Sequence, residues 1–210
     1  MSTALLVFGR APVPGACKTR LVPLLGEAGA ARLYRAFLDD VLRTAVATGA
    51  AVELWCAGDA KDRDLAELGA RHGVTRRAQP AGDLGARMAG ALQDALARHP
   101  RALLIGSDAP TLPARALLRA GEALVDAPTV FGPSADGGYW LVGARRGATA
   151  GFDSVRWSTR NALADTLARN PGAALTEPWY DVDEPADLRL LRAHLAVEPD
   201  VAPATRAALR

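Results

Sequence analysis

Short, unbroken apolar runs alternate along this chain with longer stretches in which apolar residues recur every three or four positions. Ala4-Leu5-Leu6-Val7-Phe8, closed by Gly9, is a run of strand length with no polar member, the pattern of a strand buried on both faces. Over residues 27–46, Ala30, Leu33, Tyr34, Phe37, Leu38, Val41, Leu42 and Ala45 form one apolar helical face, and Gly49 marks its end. The same reading predicts a strand over 52–56, a helix over 61–72, a short strand over 74–78 and a helix over 84–98. A buried strand over 102–106 and a helix over 113–125 follow. Strands over 129–132 and 139–144 flank a Gly-rich turn, and helices are expected over 160–169 and, behind Pro185, over 186–195. Residues 197–210 read as a short peripheral tail or helix.

Strands alternating with helices of this length imply crossover units. The predicted fold is therefore α/β, a three-layer α/β/α sandwich around a mostly parallel, Rossmann-like sheet. Ligands of such sheets bind outside the carboxyl ends of the strands, so chemistry is sought there.

At 210 residues the chain fits one domain, 1–210, and is long enough to bury a substantial core. Its formal charge of +2 comes from scattered arginines largely matched by acids, so no basic stripe for a nucleic acid stands out. Two cysteines, Cys17 and Cys56, make no disulfide framework, and no apolar run is long enough for a membrane span or signal peptide. A reduced, cytoplasmic protein that is a monomer or homodimer is expected, with neither nucleic acid nor membrane as a partner.

Four polar segments follow predicted strands or begin helices. The loop GRAPVPGACKTRL, 9–21, combines Gly9 and Gly15, which let backbone amides approach an anion, with the cations Lys18 and Arg20, a composition suited to cradling phosphates. It is neither a Walker A loop nor the dinucleotide fingerprint. Asp108, directly after a buried strand, offers a hard oxygen donor for Mg²⁺, although an Asx turn before Pro110 accounts for it equally. Asp136 lies in a Gly-rich turn where Gly137 and Gly138 would let a substrate approach, and Asp-Gly-Gly is equally a hairpin signal. In 180–185 the carboxylates of Asp181 and Asp183 alternate and are expected on opposite faces, one of them facing the site. Asp183 is taken as the second metal ligand, and helix capping before Pro185 fits the same residues.

Two weaker segments complete the candidates. Around 79–88, Gln79 and the backbone near Gly82 and Asp83 suit the edge of a base, or a capped helix start. Over 155–159, Trp157 suits rim packing and Ser158 a helix cap.

The set and order of CKTRL, QPAGDLGARM, GSDAPTLP, GPSADGGYWLVG, VRWST and YDVDEPADL resembles a bacterial family of uncharacterised transferases with the GT-A, nucleotide-diphospho-sugar transferase fold. Its members are usually described as candidate glycosyltransferases, and it is similar to the guanylyltransferases of molybdenum cofactor and deazaflavin cofactor synthesis. The resemblance spans nearly the whole chain. It implies that Lys18 and Arg20 hold phosphates, that Gln79 and Gly82 lie at the base, that Asp108 and Asp183 bind Mg²⁺ or Mn²⁺, and that Trp157 and Ser158 face the acceptor. The first loop departs from the Gly-rich loop of sugar nucleotidyltransferases, being longer and carrying Pro12 and Pro14.

Three functions are carried forward. Nucleotidyl transfer from a nucleoside triphosphate to a small phosphorylated acceptor is favoured by the cations of the first loop, which suit a departing pyrophosphate. Glycosyl transfer from a nucleotide-sugar would use the same site, with Asp136 as general base. A nucleotide-binding regulatory module would bind without forming product.

Overall fold

In the computed structural model, which describes residues 3–58, 62–148 and 150–210, the apolar run at the start forms β1, Thr3–Arg10, at the middle of a sheet. A single 3₁₀ turn, Thr19–Leu21, leads into α1, Val22–Ala47. Gly26 is non-helical (φ 65°, ψ 166°), so the unbroken helix starts at Glu27, where the apolar periodicity starts. The chain continues through β2 (Ala51–Ala57), α2 (Arg63–His72), β3 (Thr75–Ala78), α3 (Leu84–Arg98) and β4 (Arg101–Ile105). It then forms α4 (Ala114–Ala123), β5 (Thr129–Pro133), β6 (Tyr139–Arg145), α5 (Ala162–Arg169), β7 (Ala174–Leu175), α6 (Pro185–Val197) and α7 (Pro203–Ala208). Lys61, the expected start of the second helix, lies outside the described residues.

The strand order is β3-β2-β1-β4-β6-β5-β7, with β6 antiparallel to both neighbours and every other pairing parallel. The mostly parallel α/β sheet expected from the pattern is thus present, with the 129–144 hairpin supplying its antiparallel member. Alternate residues of β1 enter opposite cores, as the pleat requires. Leu5 and Val7 pack with Phe37, Leu54 and Leu117 on one face, while Ala4 and Leu6 pack with Leu92 and Phe131 on the other.

The segment after residue 197 is anchored on α1. Asp40, buried in that helix, accepts hydrogen bonds from the Ala204 and Thr205 N–H groups at 3.1 and 2.7 Å, satisfying the free donors at the start of α7. No described helix is long and apolar enough to cross a membrane.

Candidate functional site

A cleft of about 630 Å³ opens at the carboxyl ends of β1 and β4, the edge expected for ligands. Lys18 enters it from the loop after β1 in a left-handed backbone conformation (φ 47°, ψ 41°), which costs a non-glycine residue about 1–2 kcal/mol. The surroundings hold it there. Its Nζ lies 2.5 Å from Asp108 Oδ1 and 2.7 Å from Asp183 Oδ1, with the Tyr34 and Phe37 ring centroids at 5.9 and 5.5 Å, and the side chain is only 4% exposed. Burial by itself would push the ammonium's pKa down. The two carboxylates outweigh it, so the pKa is raised and Lys18 stays charged.

The second acidic arm is clamped to the first by the backbone. The Val182 N–H donates to the Asp108 carbonyl at 2.8 Å, and the Val182 side chain is sunk in the core. Positions two apart in an extended segment share a face, so Asp181 and Asp183 both turn away from the core with Val182 between them. The expectation that they lie on opposite faces is therefore corrected. Asp183 lines the main cleft, while Asp181 lines an adjoining pocket and accepts a hydrogen bond from Ser134 Oγ at 2.9 Å. Burial pushes the Asp181 carboxyl up to about 7; the Ser134 hydroxyl opposes this, and the carboxylates of Asp108, Asp183 and Asp136 add to it.

Asp136 lies at the tip of the β5–β6 turn, and its Oδ1 accepts the Gly138 N–H at 2.8 Å. Gly137 adopts φ +88°, and a Cβ there would sit 2.3 Å from the Arg160 carbonyl oxygen. Its missing side chain serves chain-to-chain contact: the Leu163 N–H donates to its carbonyl at 3.0 Å. That contact carries Ser158, Thr159 and Arg160 into the cleft beside Asp136. Ser158 has φ 59°, and Trp157 packs against Tyr139 and Phe152 with ring centroids 6.4 and 6.2 Å away.

The remaining candidates are placed less uniformly. Gln79 lines the cleft, with Nε2 donating to the Trp55 carbonyl at 3.0 Å and Oε1 accepting from Arg87 at 3.1 Å. Asp83 caps α3 by accepting the Ala86 N–H at 2.8 Å, and Gly82 precedes that cap. Gly9 lines the cleft, and a Cβ on it would press on Leu38 of α1 at 2.7 Å. Gly15 bends the loop beside Glu27 and does not line the cleft. Arg20 lines the cleft, is largely exposed and pairs with Glu184 at 3.0 Å.

The sequence reading assigned no site role to Tyr34 or Arg87, and of Asp181 and Asp183 it chose only the latter. Tyr34 reads as one more apolar helix position, but its hydroxyl lies 2.9 Å from Ser107 Oγ and accepts the Arg10 N–H at 3.1 Å, tying the ends of β1 and β4 together. The two-residue spacing of Asp181 from Asp183 was the signal for the former.

The acids fit a small divalent cation. The Oδ1 atoms of Asp108 and Asp183 converge on one point, where Lys18 Nζ sits, and one or two carboxylates completed by phosphate oxygens and water is the usual setting of Mg²⁺. No group of three or more metal-ligating side chains is found among the described residues, so a metal here would depend on its substrate for further ligands.

Residues 40–159 match the model of a family described as uncharacterized proteins conserved in bacteria (DUF2064). A crystal structure of a candidate nucleotide-diphospho-sugar transferase from Desulfovibrio desulfuricans G20 is 32% identical, covers 100% of this chain and 95% of its own, and superposes with a TM-score of 0.88. CMP:2-keto-3-deoxy-manno-octonic acid synthetase complexed with CTP shares the fold at 12% identity and TM-score 0.59, over 94% of this chain and 100% of that one. Rv0371C from Mycobacterium tuberculosis H37Rv, complexed with manganese, does so at 18% identity and TM-score 0.52, over 91% and 98%. No curated protein matches the chain in sequence. The chain thus shares the fold of these nucleotide-diphospho-sugar and nucleotidyl transferases.

Proposed function

The chain belongs to that bacterial family, DUF2064, and we propose that it is a metal-assisted transferase whose donor is a nucleoside triphosphate, passing the nucleotidyl group to a small phosphorylated acceptor. The observation that carries this reading is the convergence of Lys18, Asp108 and Asp183 in the cation-lined cleft. The CTP and manganese complexes of proteins sharing the fold support the donor class and the metal.

Asp108 and Asp183 would hold Mg²⁺ or Mn²⁺. Such an ion neutralises charge on the phosphates of the donor. Lys18 and Arg20 supply further positive charge from the first loop, where the leaving group is to be stabilised. An acceptor phosphate oxygen attacks the α-phosphorus; a new P–O bond forms as the bond to the bridging oxygen breaks, and pyrophosphate leaves with the electron pair. Gln79, held by its bonds to Trp55 and Arg87, would border the base rather than pair with its edge through both ends of the amide.

A second reading, glycosyl transfer from a nucleotide-sugar, is favoured by the 32% identical relative. There Asp136 would take the proton of the acceptor hydroxyl as it attacks the sugar carbon and the nucleoside diphosphate departs. The buried free cysteines Cys17 and Cys56 support a reduced, cytoplasmic setting.

Thermal-shift measurements with Mg²⁺ against the four triphosphates and common UDP- and GDP-sugars test the donor, because ligand at about a hundred times its Kd adds roughly 2.7 kcal/mol of stability. Stabilisation by one triphosphate, with pyrophosphate release on adding acceptor, is expected. Stabilisation by a nucleotide-sugar alone would favour the second reading, and no response to either class would remove both.

A further inference from the structure

A second cavity of about 290 Å³ adjoins the main cleft, and Phe8, Leu84, Asp108, Asp136 and Ser158 line both. The two differ in charge. Arg10, Lys18, Arg20, Arg87 and Arg160 line the main cleft, whereas no lysine, arginine or histidine lines the second cavity among the described residues. Its walls are Phe8, Leu84, Met88, Leu104, Tyr139 and Trp157, and the acidic groups reaching it are Asp108, Asp136 and Asp181.

Phosphates and carboxylates therefore belong in the cleft. A buried anion in the second cavity would lose its hydration, gain no cation, and face carboxyl groups. An apolar ring there would bury its surface against Met88 and Leu104 and meet the aromatic rings of Tyr139 and Trp157. The volume lies near the roughly 300 Å³ lower end of small-molecule pockets, enough for a ring-sized group.

We propose that this cavity holds the non-reacting body of the acceptor, and that this body is apolar, carrying no carboxylate or second phosphate. The inference rests on the transferase reading, in which the donor occupies the main cleft and the acceptor's reacting oxygen lies at the shared rim beside Asp108 and Asp136.

Two probes with the same hydroxyl end test it on the full chain with Mg²⁺: 3-phenylpropan-1-ol and 4-(3-hydroxypropyl)benzoate, which adds a carboxylate to the ring, titrated by saturation-transfer NMR. The alcohol is expected to bind at least about tenfold more tightly than the carboxylate. Leu84→Lys places a cation at the rim from a partly exposed position, 37% accessible, on a helix that tolerates lysine, and is expected to bring the ratio close to one. Equal or tighter binding of the carboxylate by the parent protein overturns the proposal, as does no binding of the alcohol or an unchanged ratio in Leu84→Lys. Thermal shifts with triphosphates and nucleotide-sugars on the same samples separate the two ideas. Nucleotide stabilisation without alcohol binding sinks the acceptor inference alone. Alcohol selectivity without a shift by any nucleotide upholds the cavity's charge preference and sinks the transferase reading.

Discussion

Across 165 residues of chain, the Lys18 ammonium donates to Asp183 Oδ1 at 2.7 Å. It also pairs with Asp108, so one buried cation offsets part of the charge of two acids from distant segments of the chain. Lys18, Asp108 and Asp183 form one ion-pair cluster within the cleft. Binding a divalent cation between those acids requires Lys18 to give up at least part of its contact with them.

Lys18→Ala should therefore leave Asp108 and Asp183 facing each other uncompensated. With the two carboxylates 37% and 50% exposed, solvent screens much of the repulsion, and a loss of about 1–3 kcal/mol is expected. Thermal melts with and without Mg²⁺ check this: the ion should stabilise the variant more than the parent, and equal responses would contradict the shared site.

Asp108→Asn keeps the shape of the side chain and removes its charge. Metal-dependent turnover should fall about 100-fold or more, with circular dichroism unchanged. A fully active variant would remove Asp108 from the metal site.

Gly137→Ala should be costly on two counts, a positive φ and a Cβ placed 2.3 Å from the Arg160 carbonyl oxygen. A destabilisation of about 1–3 kcal/mol is expected. Activity should fall further than stability accounts for, since the same contact holds Ser158 and Arg160 in the cleft. Kinetics at a temperature where the variant is fully folded would show whether that holds.

Away from the site, Asp39 gives the fold a dependence on pH. Its hydrogen bond with His72 at 2.6 Å holds its pKa below the ordinary 3.8, with Arg71 and Arg43 adding to this and burial opposing it. The folded state then binds fewer protons than the unfolded one near that pH. Its contribution is present above pH 3.8 and is lost as pH falls through the lowered folded value. Denaturant melts of Asp39→Asn should show lower stability at pH 7 and a shallower loss below pH 4; an identical acid limb in parent and variant would speak against it.

The main helices and central strands were legible because each carries its own periodicity, as in the apolar stripe of α1 and the unbroken run of β1. That Asp108, Asp136 and Asp183 come together at the cleft was legible because each stands beside a strand end or a turn whose local signal is strong. Asp181 was misplaced by an error about which face it shares with Asp183. The anchoring of 203–208 on Asp40 has no local signal, since it is a contact over 164 residues.

The sequence by itself determined the α/β alternation, the family to which its motifs belong, and the kinds of side chain offered at the strand ends, because these depend on residues close together in the chain. Only the tertiary structure decided the strand order and that Lys18 bridges the two acids. It also decided that Gln79 is already engaged and that basic side chains line one cavity while, among the described residues, none lines its neighbour. Those outcomes arise where segments distant in sequence meet, and there charge, burial and hydrogen bonding are set by the neighbour that folding supplies.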